Sequence, residues 1–397
     1  MRTRLMTLAL IFMLTPAPAD PASTSAVIFI PGFLGSFLRD TKTKKRVFVT
    51  VTSVLWDAQP VSLEQAELQT PPGPDLEPDG VLDGIPALIT TVDVYGSMLQ
   101  KLKTLTGRTI VPFAYDWRKD PYEAVVQLGH QIDDLKAHGF SQIDIVAHSA
   151  GGWLTTYYLA YGTQQPSLAK ADWSGAKNIR RAVILGTPYN GSMMLFREMV
   201  RGTSLPLMGR LLPPDTYASF PAMYAALPQE TGHFLDQNGR PLAIALGDPT
   251  AWTEYHFGLM ARTELPDSIL AARAEFISQR LRAGQQFLAL LKLPDVANAP
   301  EALKVMSVYG NGTPTLDKCF LVTSGGESRL ILDVDHPKND GLNEDLLFAD
   351  GDGVVSVSSS VMPMPLRSRA QVMTSRAEHQ KLTQAADVQA AILKFLN

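Results

Sequence analysis

Ile143-Asp144-Ile145-Val146-Ala147-His148-Ser149-Ala150-Gly151-Gly152 is the stretch on which the reading of this chain turns. An apolar, β-type run ends at a serine whose neighbours lack bulk, and helix-compatible sequence from Trp153 to Leu159 follows at once. Strand, sharp turn and helix in that order make a nucleophile elbow, in which the turn lifts the serine hydroxyl to the mouth of a sheet. Small residues at Ala147 and Gly151 suit so tight a turn, although Ala147 stands where the strict G-x-S-x-G pattern has glycine.

Outward from the elbow, β-type runs alternate with helical patterns. Strands are expected at Ala26 to Ile30, Thr109 to Phe113, Ile143 to Ala147, Arg181 to Leu185 and Lys304 to Tyr309, with a further β-like run at Gln371 to Met373. Helices are expected at Tyr95 to Leu105, Glu123 to Ala137 and Ala385 to Phe395. This alternation predicts an α/β chain with a mostly parallel sheet flanked by helices, and the elbow set within it points to the α/β-hydrolase arrangement with a cap insertion. Residues 26–192 and 304–397 form the expected core. Residues 37–89 read as a loop-rich insertion because of Pro71-Pro72-Gly73-Pro74 and a local excess of acid. Residues 193–303 are too long for a crossover and are expected to fold as a cap. Met193 to Leu212 mixes apolar residues with Arg197, Arg201 and Arg210, which reads either as a lid touching a lipid surface or as an ordinary packed helix pair.

Composition narrows the function. The 397 residues are 45% hydrophobic with a formal net charge of −4, so there is no basic excess to serve a nucleic-acid partner. The single cysteine, Cys319, excludes an intrachain disulfide and a cysteine-based metal cluster, and reads as a small buried hydrophobe. Arg2 and Arg4, the apolar Leu5 to Leu14 and Ala17-Pro18-Ala19 have the order of a secretory leader. Residues 1–19 are therefore expected to be removed on export to the periplasm or beyond, with 20–25 as a spacer; a cytoplasmic protein with an uncleaved N-terminus is the alternative.

A serine nucleophile needs a histidine to take its proton and a carboxylate to fix that histidine's tautomer. In α/β-hydrolases they follow in the order Ser, acid, His. Ser149 is followed by Asp352, in Asp350-Gly351-Asp352-Gly353, and by His379, in Ala377-Glu378-His379-Gln380. Asp340, in Asn339-Asp340-Gly341, is the alternative acid, and Asp350 fits a turn cap. His148 reads as structural, and His130 and His138 as solvated. Asp333, Asp335 and His336 hint at a metal site, but Pro337 breaks the Ca²⁺-loop pattern. The oxyanion donors are expected to be the backbone N–H groups of Ala150 and of Phe33, which Pro31-Gly32 turns toward the pocket.

Together these strings resemble the lecithin:cholesterol acyltransferase family, which includes lysosomal phospholipase and phospholipid:diacylglycerol acyltransferase. The matching strings are Ile30-Pro31-Gly32-Phe33-Leu34-Gly35-Ser36, Pro112-Phe113-Ala114-Tyr115-Asp116-Trp117-Arg118, Ala147 to Gly152, Leu185-Gly186-Thr187-Pro188-Tyr189-Asn190-Gly191-Ser192, Phe220 to Pro228, Tyr309 to Thr315, Asp350 to Val355 and His379. The resemblance implies a Ser149-Asp352-His379 triad, an oxyanion hole at Phe33 and Ala150, and acyl transfer from an ester lipid to a lipid alcohol or to water. No metal or organic cofactor is implied. Animal members close a lid with a disulfide inside the first insertion, which here has no cysteine; Trp56 is the candidate for the tryptophan such lids carry. An esterase or lactonase for soluble esters, and a catalytically silent binding protein on the same fold, are the other readings. Asp116 and Arg118 are expected to form a structural ion pair.

Overall fold

β1 (Ser25–Ile30) is buried at all six positions, as a strand must be when helices cover both faces of its sheet. Around it lie β2 (Thr109–Pro112), β3 (Gln142–His148), β4 (Arg181–Leu185), β5 (Lys304–Gly310) and β6 (Ala370–Ser375). Their spatial order is β2-β1-β3-β4-β5-β6, and every pairing between them is parallel. The computed structural model describes residues 24–49, 61–63, 66–70, 73–86, 91–205, 209–292, 299–325, 327–332 and 341–397. The N-terminal leader, Trp56, Asp333, Asp335, His336 and Asp340 lie outside the described residues.

Alternation along the strands divides the core in two. Val27 and Phe29 of β1 face Met98 and Leu102 of α1 (Gly96–Thr106) together with Val388 and Ile392 of α6 (Ala386–Leu396). Ala26, Ile28 and Ile30 face the other way, toward Val125 and Leu128 of α2 (Pro121–Ala137) and Leu154 of α3 (Ala150–Tyr161). Every residue of α3 is buried, because the cap closes over the helix the sheet leaves uncovered. Tyr157 stacks on Phe287 of the cap helix α5 (Asp267–Leu291), and the Tyr161 hydroxyl donates to the Leu290 carbonyl at 2.8 Å. At the far end of the sheet, buried Asp144 accepts from Arg108 at 2.6 Å and Arg180 at 2.7 Å.

The described part of the first insertion is more regular than its composition predicts. Ser36–Asp40 pairs antiparallel with both Arg46–Phe48 and Leu76–Val81. Glu77 meets Arg39 at 2.9 Å and Asp79 meets Arg46 at 2.9 Å, so the charges that suggested loop are cross-strand partners. Met193–Arg201 forms α4, and an antiparallel pair, Thr203–Leu205 with Gly209–Leu212, follows in place of a second helix. Met193, Phe196 and Met199 are buried, and Phe196 packs on Phe234 and Phe257. These three side chains of α4 therefore pack inside the protein. Cap strand Phe234–Leu235 pairs with Cys319–Ser324, and Cys319 is buried there, its thiol pushed up in pKa by desolvation. No helix among the described residues is long and apolar enough to cross a membrane.

Candidate active site

Between the last residue of β3 and the first of α3, Ser149 adopts φ 54°, ψ −124°. A non-glycine residue held there stores about 1–3 kcal/mol of backbone strain, which the surroundings must over-determine. Two bonds do so: the Ser149 N–H donates to the Leu185 carbonyl at 2.7 Å, and the Thr187 hydroxyl donates to the Ser149 carbonyl at 2.8 Å. Bare backbone around the turn is equally necessary. A Cβ on Gly152 would sit 1.8 Å from Thr187 Oγ1, and one on Gly32 would sit 2.7 Å from the Ser149 Cβ.

Asp352 reaches this serine from the turn after the short strand Phe348–Gly351, and His379 from the loop that follows β6. Nε2 of His379 lies 3.0 Å from Ser149 Oγ, and its Nδ1 lies 2.8 Å from Asp352 Oδ2. The carboxylate is an acceptor, so the imidazole proton resides on Nδ1 and Nε2 is free to accept the serine proton. Asp352 is 1% exposed and His379 6%. Burial pushes the Asp352 carboxyl upward, but the His379 charge and hydrogen bond, with the Val355 and Val354 amides on Oδ1, outweigh it and hold the group below its usual range. Gly310, ending β5, admits the acid because any side chain there would press on the Asp352 Cβ at 2.4 Å.

Phe33 and Ala150 line an apolar pocket with Ser149, alongside Trp117, Trp153, Leu154 and Leu195. Ala150 opens α3, so its N–H has no intrahelical acceptor, and no hydrogen-bond partner holds the Phe33 amide among the described residues. Both amides are thus available to an oxygen atom at the serine. Asp116 and Arg118 form the expected ion pair: the guanidinium grips both carboxylate oxygens at 2.8 Å and donates to the Val61 carbonyl at 3.0 Å. His130 is exposed on α2 and His138 at its C-terminal cap, and Asp350 accepts the Gly312 N–H, a turn contact. Sequence reasoning gave no role to Tyr95, which bonds His148 at 2.9 Å beneath the serine, and left His148 as structural without a partner.

The sequence pattern described as lecithin:cholesterol acyltransferase matches residues 44–257, more than half of the chain. The chain belongs to the lecithin:cholesterol acyltransferase family. Within it lie the Tyr115-Asp116-Trp117-Arg118 string and the serine elbow, while Asp352 and His379 follow beyond the matched segment. A curated relative, the uncharacterized protein YJR098C of Saccharomyces cerevisiae, is 29% identical over 133 residues, which take in 32% of this chain and 19% of that protein. Among solved structures, a chain of the Tle4-Tli4 complex is similar in fold, with a TM-score of 0.58 at 13% identity over 94% of this chain and 98% of that one. The mature Bacillus licheniformis lipase BlEst2 aligns over 96% of this chain and 95% of its own at 11% identity, with a TM-score of 0.37. The fold is that of the α/β-hydrolases.

Proposed function

We propose that the protein is a serine-dependent acyltransferase or lipase that works on ester lipids through an acyl-enzyme. The observation that carries this reading is the unbroken hydrogen-bonded series from Ser149 Oγ through both nitrogens of His379 to Asp352. Ser149 Oγ attacks the ester carbonyl carbon while Nε2 of His379 takes its proton. The resulting oxyanion is met by the Phe33 and Ala150 amides. Collapse breaks the bond to the alcohol, which leaves with the proton from Nε2, and the acyl group stays on Ser149 as an ester. A second alcohol, or water, then gives its proton to His379, attacks that ester and restores the serine. Asp352 keeps the imidazole in the tautomer that accepts at Nε2 and stabilises it once charged.

An ester of a lipid suits the apolar walls of the pocket and the family to which the chain belongs. The deciding experiment incubates the protein with mixed phospholipids, with and without a sterol or another long-chain alcohol, and identifies products by mass spectrometry. New acyl esters of the added alcohol support transfer, free fatty acid alone supports hydrolysis, and neither product overturns the reading. Ser149→Ala and His379→Ala are each expected to abolish turnover in folded protein, and Ser149 to be the residue labelled by a fluorophosphonate. One observation favours a second reading, an esterase for soluble esters: the pocket at Ser149 encloses only about 20 Å³ of free space, room for one water rather than an acyl chain.

A further inference from the structure

We infer that Tyr95 and His148 are positioning residues, a buried relay that sets the oxyanion loop and the base loop at a fixed distance from one another. The inference rests on the proposed triad. Tyr95 stands immediately before α1, is 4% exposed, and packs edge-to-face on Phe29 of β1, with ring centroids 5.1 Å apart. Its hydroxyl accepts the Gly32 N–H at 3.1 Å and donates to Nδ1 of His148 at 2.9 Å. With Nδ1 accepting, the His148 proton resides on Nε2, which donates to the His379 carbonyl at 3.0 Å. Three hydrogen bonds therefore run from Gly32, next to the Phe33 donor, to the backbone of the general base.

The relay lies under the serine rather than in the pocket, so neither side chain touches a reacting atom. Its geometry is tight: Gly32 has no room for a Cβ above Ser149, and the His148 and His379 rings lie 4.8 Å apart. Its protons are also fixed. Burial pushes the Tyr95 phenol up to about 12, and burial, with the neighbouring His379 adding to it, pushes His148 down to about 3. The hydroxyl remains a donor and the imidazole stays neutral wherever His379 can act as a base. A phenylalanine at position 95 would fill the same space yet leave a buried amide and a buried ring nitrogen without partners. The tyrosine oxygen thus serves the register of the two loops and not the packing of the core.

The test uses the whole protein and p-nitrophenyl butyrate, with fluorophosphonate labelling as a separate readout. Tyr95→Phe is expected to lower kcat about 10- to 100-fold, because small displacements of a positioned group cost that much, with KM little changed. His148→Leu is expected to lose as much or more, His148→Gln, which keeps an N–H for the His379 carbonyl, to recover part of it, and the Tyr95→Phe/His148→Leu double variant to be no worse than His148→Leu alone. Folded Tyr95→Phe protein with kcat within about twofold of the parent, or losses that add in the double variant, would overturn the relay. Should His148→Leu fail to fold, the kcat and KM of Tyr95→Phe decide alone. Turnover surviving in Ser149→Ala overturns the triad instead; its loss there, with Tyr95→Phe unaffected, removes the relay only.

Discussion

Asp352 holds His379 at two points: its carbonyl accepts the His379 N–H at 2.9 Å and its Oδ2 accepts from Nδ1 at 2.8 Å. The first bond fixes the loop and the second fixes the tautomer. Asp352→Asn keeps the first and corrupts the second, since an amide turned toward Nδ1 moves the imidazole proton to Nε2. We expect kcat to fall by about 10³- to 10⁴-fold with the fold intact, read as steady-state kinetics beside circular dichroism. Near-parental kcat in Asp352→Asn, with the loss appearing in Asp340→Asn, would transfer the acid role to Asp340.

Acid should destabilise the protein through two groups at this site. The folded pKa of Asp352 lies below its usual range, so its contribution is present above the ordinary carboxylate range and is lost as pH falls through the folded value. His148, pushed down to about 3, refuses a proton that the unfolded chain accepts below about 6.5. Between those values the unfolded state binds more protons, so stability falls as pH falls, by roughly tenfold in the unfolding constant per pH unit for this one residue. Denaturant midpoints measured from pH 7 to pH 4 should therefore drop more steeply for the parent than for His148→Gln. Parallel slopes would mean that His148 takes up its proton while folded.

The strands and the order of the triad were legible because each rests on local pattern. β1, β3 and β4 are apolar runs closed by a proline, the elbow and a glycine, Ser149 stands at the end of one of them, and Asp352 and His379 follow it along the chain in the expected order. The relay was not legible, for its partners lie 53 and 231 residues apart and a tyrosine before a helix carries no mark of its hydroxyl's destination. The sheet within residues 36–81 was hidden for a different reason. Leu76-Glu77-Pro78-Asp79-Gly80-Val81 contains a proline, a glycine and two acids, and only its backbone pairing with Ser36–Asp40 makes it a strand. The face of α4 was ambiguous because an amphipathic pattern marks burial equally whether the partner is lipid or protein.

Arg118 is the residue whose loss should cost most stability without touching the reaction. Its side chain is 1% exposed, grips Asp116 with two bonds and holds the Val61 carbonyl of the first insertion. Arg118→Met leaves the Asp116 carboxylate buried without its partner, at a cost of roughly 3–5 kcal/mol. Pairing it with Asp116→Asn should return part of that loss, because the stranded charge is gone. Urea unfolding of the three variants measures this, and a double variant as unstable as the sum of the singles would show that Val61, not the ion pair, is what Arg118 supports.

Leu195, half-buried on α4, lines the wall of the apolar pocket at Ser149 together with Ala222 and Ala226. The free volume of about 20 Å³ cannot hold several methylenes, so an acyl chain enters only when this wall moves. The start of α4 is tethered, since the Ser192 hydroxyl donates to the Val354 carbonyl at 2.5 Å, two residues from the acid. Side-chain size at 195 then governs chain length more than movement of the helix start does. Leu195→Ala should raise kcat/KM for p-nitrophenyl laurate relative to the acetate, and Ala226→Leu should lower the same ratio. Each methylene gained or lost from the pocket is worth about 0.8 kcal/mol, or roughly fourfold. A ratio unchanged in both variants would mean that the acyl chain lies elsewhere, along a surface these residues do not line.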